Sequence, residues 1–208
     1  MLKQLFKSRD RVEAARPAPA ISQLILGPEH LDGAVLLPDR FAMVETFPHG
    51  VGAEIGVAFG DFSEKLLPRA SKLYLIDNWE GERYGPGKKI VEDKFAAEIA
   101  RKQVVLLRGK SVDMMKRIPD HSLDWIYIDS DHSLPTTRSE LKLALAKVKP
   151  DGVIAGDDFS VGNPRKGLPY GVITAVHEFC LEHGWKFTHL TMEPGVSRSY
   201  SLRSISGS

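Results

Sequence analysis

The chain has 208 residues, 42% of them hydrophobic, enough to bury one full core and too few for two. Its 28 Lys and Arg against 27 Asp and Glu leave a formal charge of +1, which excludes the broad basic face that nucleic acid or an acidic membrane demands. No apolar run approaches the ~18 to 20 residues of a membrane helix, and the single cysteine, Cys180, has no partner for an internal disulfide, which fits a reducing, cytoplasmic setting.

Residues 1–20 read as a tail and linker. The stretch from Met1 to Arg11 is basic and lacks the continuous apolar segment of a secretory leader, and Pro17 and Pro19 stand among alanines. A single folded domain is expected over 21–208. Pro38 and Asp39 open a short helix within 38–47. From residue 51 onward short apolar runs alternate with amphipathic stretches, the pattern of a parallel sheet covered on both faces. Strands are predicted at 51–55, 72–76, 103–107, 123–128 and 152–156, with helices over 61–69, 89–101, 111–117, 134–147 and 170–183. Two alternating segments, 185–191 and 199–205, joined through Pro194-Gly195, predict a closing antiparallel hairpin. The fold class is therefore α/β: a Rossmann-like, doubly wound, seven-stranded sheet, mostly parallel.

The chemistry concentrates where strands end. The first strand runs into Glu54-Ile-Gly56-Val-Ala58-Phe-Gly60, a turn whose glycines let a ligand approach the backbone. Asp77 closes the second strand, where a carboxylate can take both hydroxyls of a ribose. Glu54, two residues ahead of the first glycine, would repel a pyrophosphate; this argues against a dinucleotide and for a cofactor carrying a cation or an amine. Asp129, Asp131 and His132 follow the fourth strand, and Asp157 and Asp158 the fifth, so they face one another across the crevice of a parallel sheet. Three carboxylates brought together repel unless one is protonated or a cation sits among them, and magnesium or another hard divalent ion is the economical solution.

Together these features resemble the class I S-adenosylmethionine-dependent methyltransferases over about residues 50–205. The two acidic segments resemble in particular the metal-dependent O-methyltransferases of the catechol and caffeoyl type and of the bacterial sugar type. The resemblance implies that Glu54, Gly56, Ala58 and Gly60 line the methionine and ribose part of the cofactor, that Asp77 binds the ribose hydroxyls, that Asn78 and Trp79 lie beside the adenine, and that Ser111 sits at the adenine edge. It implies Asp129, Asp157 and Asp158 as metal ligands, with Asp129 also bordering the cofactor. Sugar-type enzymes have an aspartate two residues after the first ligand, which makes Asp131 the first choice of catalytic base; His132, an imidazole titrating near neutrality, is the second.

Some of these residues have plainer readings. Asp131 also suits a helix cap ahead of Leu134-Pro135, and Trp79 suits plain packing. Two loops border the acceptor side: 159–171, with Arg165, Lys166 and Tyr170, and 79–89, with Tyr84 flanked by glycines. The expected reaction is divalent-metal-assisted O-methylation of a small hydroxylated acceptor, a sugar or a phenol. A metal-independent N- or O-methyltransferase and a non-methylating S-adenosylmethionine-binding relative stay open. The expected partners are thus S-adenosylmethionine, Mg2+ or another divalent cation, and a small-molecule acceptor, with no nucleic acid and no membrane span; a homo-oligomer is left open.

Overall fold

The computed structural model describes residues 24–163, 167–194 and 197–207. The expected tail and linker, Arg165, Lys166 and Gly195 lie outside the described residues. In chain order the elements are β1 (Val35–Leu37), α1 (Arg40–Val44), β2 (Gly50–Ile55), α2 (Ser63–Leu66), β3 (Ala70–Asp77), α3 (Gly81–Tyr84), α4 (Gly87–Lys94), α5 (Ala96–Ala100), β4 (Val104–Arg108), α6 (Ser111–Met115), β5 (Leu123–Ile128), α7 (Leu134–Lys147), β6 (Val148–Gly156), β7 (Gly162–Asn163), β8 (Leu168–Pro169), α8 (Val172–His183), β9 (Trp185–Thr191) and β10 (Tyr200–Ser204). Two predicted helices are interrupted for local reasons. Pro68 leaves the end of 61–69 as a 3-10 turn, and 89–101 breaks at Phe95, which leaves the helical region at φ −110°, ψ 25°.

The main sheet runs β1-β9-β10-β6-β5-β2-β3-β4. Only β10 opposes the rest, pairing antiparallel with both β9 and β6. The expected hairpin is therefore present, but the sheet has eight strands, not seven. The eighth is β1, which adds to the edge in parallel with β9 through Val35 and His189, Leu36 and Leu190, and Leu37 and Thr191. Three residues are too few to display a period of two, which is why the sequence pattern misses it.

Side chains alternate between two cores. On β5, Leu123, Ile126 and Ile128 face a cluster roofed by α6, α7 and α8, with Leu141, Ala144, Val176 and Phe179 among its members. Trp125 and Tyr127 face the other side, with Met43, Leu66, Val91 and Phe95. Gly52 makes room on that second face, because a Cβ there would lie 2.1 Å from the Trp125 ring. From β2 the chain winds to β3 and β4 on one side, then returns to β5 on the other. The carboxyl ends of β2 and β5 thus flank a topological switch point, the place where an open α/β sheet binds ligands. Among the described residues no helix is long and apolar enough to cross a membrane.

Candidate active site

Two turns meet at the switch point. Leaving β2, Gly56 takes φ +90°, and a Cβ on it would lie 1.7 Å from the carbonyl oxygen of Asp129 beyond β5, so any side chain there collides with backbone. Beyond Gly56 the turn is held from β3. Asp77 Oδ2 accepts the N–H groups of Val57 and Ala58, both at 2.9 Å, and Oδ1 accepts that of Trp79 at 2.7 Å. This keeps Ala58 at φ +50°, a strained value for a residue with a Cβ. The Trp79 indole N–H closes the hoop by donating to the Ala58 carbonyl at 2.9 Å.

Beside this hoop lies a cavity of about 740 Å³, within the range of small-molecule sites. Of the expected cofactor residues, Gly56, Ala58, Asp77, Asn78, Ser111 and Asp129 line it, together with Tyr84, Lys110, Asp131, His132 and the start of α7 at Pro135 and Thr136. Glu54, Gly60 and Trp79 are not among the lining residues. Trp79 is buried among Val57, Val91 and Phe95 and braces the turn; it does not lie open to an adenine. Gly60 admits α4: a Cβ would sit 3.0 Å from the Phe95 ring and 3.2 Å from Val91. Glu54 is buried and accepts the Ser63 hydroxyl, and burial pushes its carboxyl up to about 8, the Ser63 hydrogen bond opposing the rise. Burial thus favours the protonated form of Glu54, which weakens its expected repulsion of a pyrophosphate.

The other wall is acidic. After β5, Asp129 stands at the cavity, one third exposed. After β6, Asp157 and Asp158 are almost wholly buried. Their counter-charges come from elsewhere in the chain. Arg40, at the start of α1, places Nη1 3.0 Å from Asp157 Oδ2 and 4.0 Å from Asp129 Oδ2. The Ser199 hydroxyl donates to Asp157 Oδ1 at 3.1 Å. Asp158, at φ +53°, accepts the Ser197 hydroxyl at 2.6 Å and lies 3.1 Å from His132 Nε2, His132 itself being at φ +61°. Burial and the two neighbouring aspartates raise Asp129 well above the ordinary carboxylate range, Arg40 opposing them. Burial also raises Asp157.

The ligand set expected for a metal is only partly assembled. Ligand atoms of Asp129, His132 and Asp158 lie within 4.8 Å of one another, with His132 standing in for Asp157. Two oxygens and one imidazole nitrogen suit manganese, iron or zinc at least as well as magnesium. Asp131 turns out to brace the start of α7, whose N-cap is Ser133. Its Oδ1 accepts Ser133 N–H at 2.8 Å and its Oδ2 the Thr136 hydroxyl at 2.7 Å; these bonds outweigh a partial burial and lower its pKa. A carboxylate so stabilised is a weaker base than the first choice required.

Sequence reasoning missed Arg40, Ser197, Ser199 and Glu140. Glu140, buried in α7, accepts the Ser130 hydroxyl at 2.7 Å behind the Ser111 edge of the cavity, and burial pushes it up to about 7, with hydrogen bonds from Ser111 and Ser130 opposing. Its position inside α7, away from the strand-end motifs, gives no local signal, and Arg40 follows an ordinary cap, Asp39 accepting Ala42 N–H at 2.9 Å.

A cavity at the switch point of a Rossmann-like sheet with one reversed strand defines a small-molecule-binding α/β protein of nucleoside-site type. Residues 53–159, just over half of the chain, match the family described as methyltransferase domain, and the chain belongs to that family. Solved structures of the same fold include the N-methyltransferase NodS from Bradyrhizobium japonicum WM9 in complex with S-adenosyl-L-homocysteine, 16% identical with a TM-score of 0.58, covering 79% of this chain and 82% of that one. They also include the O-methyltransferase TomG from Streptomyces achromogenes in complex with SAM, 17% identical with a TM-score of 0.58, covering 78% of this chain and 76% of that one. A third is the 1,6-didemethyltoxoflavin-N1-methyltransferase from Burkholderia thailandensis, 13% identical with a TM-score of 0.57, covering 79% of this chain and 76% of that one. None of the curated proteins compared with the chain matches it.

Proposed function

We propose that this methyltransferase moves a methyl group from S-adenosylmethionine, bound in the cavity beside the Gly56 turn, to a hydroxyl of a small acceptor seated over Asp129, His132 and Asp158. The observation that carries the reading is the convergence of ligand atoms of those three side chains within 4.8 Å of one another, at a point where Asp129 and His132 line the same cavity as Gly56 and Ala58 of the glycine turn. On the donor side Asp77 fixes the turn, and its Oδ1 keeps a free lone-pair direction for a ribose hydroxyl, since it accepts one bond only. Ser111 and Asn78 offer polar contacts at the cavity edge. Asp129, His132 and Asp158 would hold a divalent cation there, and the chemistry it would supply is acidification of the acceptor hydroxyl. An acidified hydroxyl surrenders its proton to a weak acceptor as its oxygen takes the methyl, so the weak basicity of Asp131 is no obstacle.

A metal-free route has one observation in its favour. The His132 imidazole, 3.1 Å from Asp158, forms a base held in place by a carboxylate, able to take a hydroxyl or amine proton while Asp158 stabilises the imidazolium. One imidazole nitrogen cannot serve both routes at once. Methyl transfer from labelled S-adenosylmethionine to a panel of polyols, phenols and amines, run with Mn2+, with Mg2+ and in chelator, separates them. The cation route expects at least about a hundredfold loss in chelator, restored by Mn2+; undiminished transfer in chelator excludes it.

A further inference from the structure

The acidic wall holds a cation of its own. Arg40 lies outside residues 53–159, so the family match assigns it nothing. It is nonetheless fastened into the site from several directions. Its backbone N–H donates to Glu193 Oε1 at 2.5 Å, which ties α1 to the loop after β9. Its guanidinium stacks 4.7 Å from the Phe62 ring centroid, and Phe62 packs at 4.6 Å on Tyr127. The Tyr127 hydroxyl meets Ser199 Oγ at 2.9 Å, and Ser199 holds the second oxygen of Asp157. Both Asp157 oxygens are therefore engaged, one by a fixed positive charge. Asp158 is turned toward His132, and Asp129 lies between the two, 4.0 Å from Arg40.

We infer that Arg40 is a positioning residue that serves as the resident counter-charge of the acidic wall. It occupies Asp157, so that an incoming cation meets Asp129, His132 and Asp158 and not a set of three aspartates. A guanidinium at this distance also repels that cation, because two like charges a few ångströms apart interact strongly at a partly buried site. Arg40 thus sets both which side chains receive a cation and how tightly. The inference rests on the reading that the wall accepts a cation, and the experiment keeps the two apart.

The test is Mn2+ binding to the full chain, by calorimetry or electron paramagnetic resonance, with S-adenosylhomocysteine affinity as the check on folding, since Arg40 is not among the cavity-lining residues. Arg40→Gln should bind Mn2+ at least about tenfold more tightly than wild type, and Arg40→Lys, which restores the charge, should return to within about threefold. Asp157→Asn in the gain background should abolish the gain. Tighter binding by Arg40→Gln where the wild type binds no Mn2+ upholds the role of Arg40 and removes the cation route as the native mechanism. Equal or weaker Mn2+ binding by Arg40→Gln, with S-adenosylhomocysteine affinity kept, overturns the role of Arg40 and leaves the cation route standing. No Mn2+ binding by either protein overturns both. Should Arg40→Gln fail to fold, Asp157→Asn alone decides: a change under about threefold, beside at least a tenfold loss in Asp158→Asn, supports the inference, and an equal loss in both overturns it.

Discussion

On the wall built by the β2–α2 turn, one carboxylate, Asp77, is met by three backbone N–H groups at 2.7 to 2.9 Å. On the wall built after β5 and β6, three carboxylates share one guanidinium and one imidazole. The first wall is drawn from a short stretch of chain, residues 56–79, and its polar groups answer one another. The second gathers Arg40, Asp129, His132, Asp157, Asp158, Ser197 and Ser199, and its three carboxyl groups outnumber its one guanidinium, so Asp129 and Asp157 are held toward the protonated form. The contrast divides the labour of the site. A satisfied, rigid wall suits a ligand that is the same at every turnover, because ordering costs have been met in folding. A wall short of positive charge is poised to bind a cation or to hold a proton.

The largest predicted effect breaks both walls at their joint. Gly56→Ala places a methyl group on the Asp129 carbonyl at 1.7 Å and at a φ of +90°. A loss of about 4 kcal/mol or more in urea denaturation is expected, with S-adenosylhomocysteine binding abolished in whatever folds. Near-normal stability in this variant would mean that the two turns do not depend on one another.

The next effect separates the members of the acidic wall. His132→Ala should lower kcat by about a hundredfold while S-adenosylhomocysteine affinity stays within about threefold, whether the imidazole holds a cation or a proton. Asp131→Asn should cost less than about tenfold in kcat and about 1 kcal/mol of stability, since its oxygens serve the cap of α7 at Ser133 and Thr136. The reverse ranking would restore Asp131 as the base.

How much of this was legible in the sequence follows the same division. The strands after residue 50 announce themselves because Val, Ile and Leu runs buried on both faces are locally distinctive, and the turn at Gly56 because a positive φ against a backbone oxygen requires glycine. The family frame and about half of the cavity's lining could therefore be read. Asp77 and Trp79 were read as ribose and adenine contacts, whereas in the structure both also bond to the turn at Val57 and Ala58; a sequence cannot tell a side chain that braces a loop from one that faces its ligand. The acidic wall was read as a list of aspartates. Its true partners come from far along the chain: Arg40 lies 117 positions from Asp157, and Ser199 lies 42 from it. The pairing of His132 with Asp158 depends on left-handed backbone at two residues that carry side chains, which no motif encodes.

Glu54 crosses the division, and it supplies the smallest prediction. By position it belongs to the satisfied wall, yet it titrates like a member of the acidic one, burial pushing it up to about 8 from an ordinary value of 4.5. An unfolded chain ionises this carboxyl above its ordinary pKa, whereas the folded chain keeps it protonated until pH reaches about 8. Between those values the folded state binds the extra proton, so stability falls as pH rises. Its contribution is full below the unfolded pKa and is lost on approach to the folded one. Glu54→Gln keeps the shape and removes the titration. Its stability relative to wild type should therefore grow from pH 5 to pH 8, by about 1–2 kcal/mol once relaxation of the buried site is allowed for, measured as urea midpoints at both pH values. A constant difference across that range would show Glu54 ionised in the folded protein, and its anion would then stand against the glycine turn as the sequence first suggested.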